Sequence, residues 1–244
     1  MGRPAVTQQC HVLPRAGSAP DDAEDAVALR ADAWPVRAAV ADGATESVYA
    51  GLWAQMLVDV LVDVGADPGD VGAAIREQQA EWGGAVQERA AEQPWYVQSK
   101  AAEGAFATGL VLSVREGGTW AAASIGDCAL FHLHDDRADA WPTDDPDAYT
   151  NRPALVPSRG TDRIPVPETA TGTWAPGDTF LLATDAVAAW LLRVGPRSVL
   201  DADESFEGAV EHARAGGALR NDDATLCILK MEDLPKDDTR SGHE

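Results

Sequence analysis

An α+β fold built around two packed antiparallel sheets is the architecture that the sequence predicts. Three closely spaced strand-like runs occupy the middle of the chain, two stretches with helical apolar periodicity precede them, and no repeat of strand-helix-strand units follows. At 244 residues, 45% of them hydrophobic, the chain can bury one sizeable core and is short for two, so residues 1–231 are expected to form a single domain.

Before position 36 only Val27 and Leu29 hint at a strand. Val36 to Ala41 reads as a strand that stops at Asp42-Gly43, because glycine accepts the backbone angles of a turn. From Glu46, apolar residues recur every four positions at Val48, Leu52, Met56 and Val60, with Trp53, Leu57, Leu61 and Val64 beside them, which predicts a long, largely buried helix. Pro68 suits a first helical turn and opens a second, more polar helix toward Ala91.

Phe106 to Arg115, Thr119 to Ile125 and Cys128 to His134 are separated only by Glu116-Gly117-Gly118 and Gly126-Asp127, which predicts an antiparallel meander. Asp135 to Pro167 lacks periodicity and reads as a long loop or flap. Pro176-Gly177-Asp178 turns into the strand Thr179 to Thr184. Helices over Ala186 to Val194 and Phe206 to Leu219 lead to a last strand, Ala224 to Met231. Glu232 to Glu244 has too few apolar anchors to offset ordering entropy and is expected to remain a disordered acidic tail.

Forty acidic against nineteen basic residues give a formal net charge of −21, a field that repels phosphate backbones and anionic lipids. Nucleic acid and membrane partners are therefore not expected, and a monomer is. The same field attracts divalent cations and basic peptides, and it also serves solubility. No run approaches the roughly 18 apolar residues of a membrane span, and Met1 to Gln9 has no leader pattern, so a cytoplasmic location is expected. Cys10, Cys128 and Cys227 are few, odd in number and far apart, and all three read as reduced thiols.

Asp42, Asp185 and Asp222 each stand at the end of an apolar strand. Buried together, such carboxylates raise one another's energy unless a hard cation with oxygen ligands compensates, which points to Mg²⁺ or Mn²⁺. Each could instead cap a helix or turn, since Asp185 precedes a helix and Asp42 precedes Gly43.

Five segments in order separate these readings: Ala23-Glu24-Asp25-Ala26, Val40-Ala41-Asp42-Gly43, Ser124-Ile125-Gly126-Asp127-Cys128-Ala129-Leu130, Leu181-Leu182-Ala183-Thr184-Asp185-Ala186 and Asn221-Asp222-Asp223-Ala224-Thr225-Leu226. Together they resemble the motifs of the type 2C family of metal-dependent serine/threonine protein phosphatases, over residues 15–231. The resemblance implies a four-layer α/β/β/α sandwich, two antiparallel β-sheets flanked by helices, with a catalytic centre of two Mn²⁺ or Mg²⁺ ions, or three, in the cleft at one edge. It implies that Asp42 bridges two ions, that Asp185 and Asp222 hold the first, and that the Gly43 carbonyl, Asp25 and Glu24 serve the second, Glu24 through water. Glu103 falls where the family has an aspartate able to support a third ion, and it also reads as a solvated charge at a helix end. Gly126-Asp127 reads as a structural turn outside the site.

The implied reaction is hydrolysis of phosphoserine or phosphothreonine on a phosphoprotein, the target of a serine/threonine kinase, by a metal-activated water and without a phosphoenzyme. Three departures bear on activity. Pro20 stands where many members place a phosphate-gripping arginine, for which Arg15 is the substitute at hand; Ala186 replaces a glycine; and Ala44-Thr45 follows Gly43 where members often show histidine or methionine. The alternative is a weak or inactive pseudophosphatase acting as a regulatory binding protein. A calcium loop at Asp201-Ala202-Asp203-Glu204-Ser205 is disfavoured, because Phe206 replaces the required glycine and His212 the final carboxylate.

Overall fold

A computed structural model describes residues 4–45, 47–149, 152–161, 163–201 and 205–233. Its two large sheets each have five antiparallel strands. One runs in the order β1 (Pro4–Leu13), β12 (Ala224–Asp233), β11 (Thr179–Ala183), β7 (Ala129–His134), β8 (Arg137–Trp141). The other runs β10 (Glu168–Thr173), β6 (Thr119–Ile125), β5 (Gly109–Arg115), β3 (Val36–Ala41), β2 (Ala26–Arg30). A small pair, β4 (Phe106–Ala107) with β9 (Val156–Pro157), lies apart.

Alternation along the strands explains the layers. Val36, Ala38 and Val40 of β3 point with Leu110, Leu112 and Val114 of β5 toward Leu130, Phe180, Leu182 and Leu229, forming the core between the sheets. The opposite faces meet helices. Ala39, Ala41, Val111 and Ala123 pack under α1 (Ala50–Val64) and α2 (Pro68–Ala90) through Trp53, Leu57, Leu61, Ile75 and Trp82. Phe131, Leu133, Leu181, Leu226 and Ile228 pack under α4 (Asp185–Val194) and α6 (Phe206–Ala215) through Val187, Leu191, Phe206 and Val210. This is the expected four-layer α/β/β/α sandwich, with two short helices, α3 (Trp95–Ala102) and α5 (Ser198–Asp201), added to it.

Several expectations need correction. The three central runs do not form one meander. β5 pairs with β6, but β7 pairs with β11 and β8, so the chain leaves one sheet for the other at Gly126-Asp127. Gly126 has φ +105°, and a Cβ there would lie 2.5 Å from Thr108 Cγ2 and 2.9 Å from the Ala154 carbonyl oxygen, so only glycine makes this corner. Segment 135–167 contains β8 and β9, and β1, β10 and α3 were not legible in the sequence. The first long helix begins at Ala50, two turn residues beyond Ser47, whose amide donates to the Ala44 carbonyl. Ser205, whose Oγ accepts from the Gly208 amide, caps α6.

Cys10 and Cys227 are direct register partners across β1 and β12 and are joined as a disulfide, which corrects the reading of three free thiols; Cys128 is the buried free one. A separation of 217 residues hid the pair from the sequence. Glu232 and Asp233 extend β12 beyond the expected domain boundary, and the rest of the expected tail, 234–244, lies outside the described residues.

Candidate active site

Strand register gathers the aspartates. Ala26 pairs with Ala41, and Ala183 pairs with both Ala129 and Leu226, so these strand ends lie together at one edge of the sandwich. Asp25 leads into β2, Asp42 leaves β3, Asp127 turns into β7, Asp185 opens α4 after β11, and Asp222 precedes β12. Thr184 Oγ1 stitches the two sheets there, donating to Asp25 Oδ2 at 2.8 Å while accepting from the Thr225 amide at 3.2 Å.

A cavity of about 620 Å³ opens at this edge, lined by Asp42, Asp185 and Asp222 together with Gly43, Lys100, Glu103 and Arg220. Asp25 is buried behind that lining, close enough for its charge to act on Asp42, and Glu24 is half-buried beside it in the chain. Glu103 therefore does reach the cavity, as the residue that ends α3. Arg15 does not: it lines a separate cavity with Glu207, Glu211 and Asn221.

Crowding of like charges out of water perturbs the acids. Burial, and then the charges of Asp25, Asp185, Asp222 and Asp127, push the Asp42 carboxyl well above its ordinary range. Burial pushes Asp25 up to about 8, with Asp223 and Asp185 adding to the rise against its hydrogen bond from Thr184. Glu24 and Asp222 are also raised, each chiefly by burial; the Arg220 guanidinium opposes the rise at Asp222.

Asp127, read as a structural turn, belongs with these groups. Both of its carboxylate oxygens are buried with no hydrogen-bond partner, and burial followed by the charge of Asp185 lifts it to about 7. The neighbouring Tyr149 hydroxyl is likewise buried and unpartnered. A buried carboxylate without a donor is the feature that a cation satisfies. Asp223, by contrast, is a structural tie: its oxygens accept the Arg15 amide at 2.8 Å and the Glu24 amide at 2.6 Å, fixing the 15–24 segment to β12.

Gly43 is required where it stands. It bridges to Ala107, its amide donates to the Glu24 carbonyl at 3.2 Å, and a Cβ would come within 2.7 Å of that oxygen and 2.8 Å of the Ala50 carbonyl carbon.

The donor set is right in kind for hard divalent ions, all oxygen and mostly carboxylate. It is not closed around one point: among the described residues no three acidic, histidine or cysteine side chains stand at ligand spacing. Between two of the acids lies a cation of the chain itself, since Arg220 pairs with both Asp185 and Asp222. Sequence reasoning missed Arg220, although its position two residues before Asp222 was a usable signal.

The family model described as "Protein phosphatase 2C" matches residues 15–221. The chain belongs to the protein phosphatase 2C family of serine/threonine phosphatases. Among solved structures, the serine/threonine phosphatase PstP/Ppp of Mycobacterium tuberculosis is 18% identical with a TM-score of 0.65, over 93% of this chain and 99% of that one. PppA, a regulatory component of T6SS in Pseudomonas aeruginosa, is similar at 18% identity and TM-score 0.65, over 93% and 98%. The catalytic domain of PstP in complex with two manganese ions is 19% identical with a TM-score of 0.62, over 94% and 100%. No curated protein matches the chain by sequence. Among the described residues, no helix is long and apolar enough to cross a membrane.

Proposed function

We propose that the chain is an active phosphatase that hydrolyses phosphoserine or phosphothreonine on proteins phosphorylated by a serine/threonine kinase, using two or three Mn²⁺ or Mg²⁺ ions. The observation that carries this reading is the convergence of Asp42, Asp185 and Asp222, from three strand ends far apart in sequence, on the wall of one cavity. Left uncompensated such a cluster is costly, and hard divalent ions with oxygen ligands are what offsets it.

Bound there, divalent ions would lower the pKa of water and neutralise phosphoryl oxygens. The residues divide the remaining work. On this reading Asp42 would be shared between ions, with Asp185 and Asp222 serving one and the Gly43 carbonyl, Asp25 and Glu24 the other. For a third ion, Asp127 beside Asp185 offers two unpartnered oxygens, and Glu103 a rim position. Lys100 lines the cavity and would face the incoming phosphoryl group as a point charge. Pro20 begins a short 3-10 turn that supplies no guanidinium, and Arg15 faces a different cavity, so Lys100 takes the role that the family gives to an arginine.

The same lack of an arginine favours the second reading, a pseudophosphatase that keeps the fold as a binding surface. Hydrolysis of a phosphopeptide and of p-nitrophenyl phosphate, measured with Mn²⁺, with Mg²⁺ and with chelator, separates the two. Turnover that needs the metal and drops at least a hundredfold in Asp185→Asn supports the enzyme. Absence of metal-dependent turnover in the parent, or turnover indifferent to Asp185, supports the regulator.

A further inference from the structure

The site contains a positive charge that the phosphatase reading does not use. Arg220 Nε lies 3.2 Å from Asp222 Oδ2, and Nη2 of the same guanidinium contacts Asp185 Oδ2. The loop that carries it is fixed at its root. Arg214 Nη2 donates to the Asp222 carbonyl, the Asp222 amide donates to the Arg220 carbonyl at 2.9 Å, and Asn221 Oδ1 accepts the Ala16 amide at 2.7 Å. The side chain itself is about a third exposed, so it can swing out to solvent while the backbone stays in place.

We propose that Arg220 is an internal counter-cation, closing on Asp185 and Asp222 when no metal is bound, so that loading of the site is an exchange of arginine for metal. The inference rests on the reading of those aspartates as metal ligands. Its logic is that of a competition. A guanidinium has five donors and no acceptor, so it cannot join a metal's ligand set, and its charge repels a divalent ion at the same oxygens. In its absence, Asp185, Asp222 and Asp42 would face one another with no positive charge between them, a state that raised the energy of the empty fold. Arg220 therefore stabilises the empty protein and weakens its apparent metal affinity by the fraction of time the pair is open. An arginine about a third exposed and bonded to two carboxylates is worth about a factor of ten in such an equilibrium.

The test uses the full chain stripped with chelator, titrated calorimetrically with MnCl₂, for the parent, Arg220→Gln and Arg220→Lys. The expected result is about tenfold tighter Mn²⁺ binding by Arg220→Gln, together with a lower melting temperature in chelator and a larger rise on adding Mn²⁺. Arg220→Lys, a single-point cation without the forked geometry, should fall between. Parental or weaker Mn²⁺ affinity in a folded Arg220→Gln overturns the exchange while leaving the metal centre intact. Failure of every variant, parent included, to bind Mn²⁺ overturns both the exchange and the metal-dependent reading on which it rests.

Discussion

Replacing Asp127 by asparagine should make the metal-free protein more stable at alkaline pH, an unusual outcome for a change at a buried polar site. The Asp127 carboxyl rises from 3.8 to about 7 because both oxygens are buried without a donor and Asp185 is nearby. A rise of that size corresponds to a cost of about 4 kcal/mol for holding the ionised form, at 1.36 kcal/mol per pH unit. Solvent penetration and residual structure in the unfolded chain bring this to about 2 kcal/mol. Asparagine carries no charge and presents an amide that can donate to Asp185, so the variant escapes the cost.

The direction with pH follows from linkage. Below about pH 4 the carboxyl is protonated in both folded and unfolded chains, and the parent suffers no penalty. Between pH 4 and 7 the unfolded chain is ionised while the folded one retains its proton, so the parent loses stability steadily, and above 7 the loss is complete. Thermal unfolding in chelator at pH 8 should therefore show Asp127→Asn melting about 4–8 °C above the parent, with the gap closing on acidification toward pH 4. A variant that melts at or below the parent at pH 8, or a gap indifferent to pH, would show that the recess is not a strained anionic site.

Two further changes probe the scaffold around the metal positions. Asp223→Ala removes the acceptor of two backbone amides, at 2.8 and 2.6 Å, and should cost about 3 kcal/mol, visible as a melting temperature about 6–12 °C lower; an unchanged transition would mean that the 15–24 segment is held by other contacts. Gly43→Ala drives a Cβ against the backbone of Glu24 and Ala50, neither of which can rotate away, and should displace the Asp42 loop. About a tenfold to hundredfold loss of Mn²⁺-dependent turnover with unchanged circular dichroism is expected, and parental turnover would contradict the close approach.

The parts of the molecule that the sequence made legible share a cause, a local pattern imposed by burial on one or both faces. β3 and β11 are apolar apart from Arg37 and Thr179 because the sandwich covers both of their faces, and α1 carries the stripe that packs on β3 and β5. What escaped reading depends on partners distant in the chain. β1 is an edge strand of mostly half-exposed residues, and only its pairing with β12, 217 residues away at the cysteines, makes it a strand. Gly126-Asp127 has the composition of a hairpin turn and is a crossing between sheets, a difference set by Thr108 and Ala154, which fill the space beside the glycine.

The same distinction governs the site. Asp42, Asp185 and Asp222 announce themselves because a carboxylate at the end of an apolar strand is costly and conspicuous. Asp127 was set aside because Gly-Asp is ordinary turn chemistry; what marks it out is what the fold places around it, burial with Asp185 nearby and no donor for either oxygen. Arg220 was passed over for a different reason: its place two residues before Asp222 was a signal, but an arginine beside acidic residues is ordinary in a chain of net charge −21. Its two carboxylate contacts give it meaning: Arg220 offsets the negative charge at Asp185 and Asp222, and on the exchange proposed above an ion entering the site would displace it before those aspartates act as ligands.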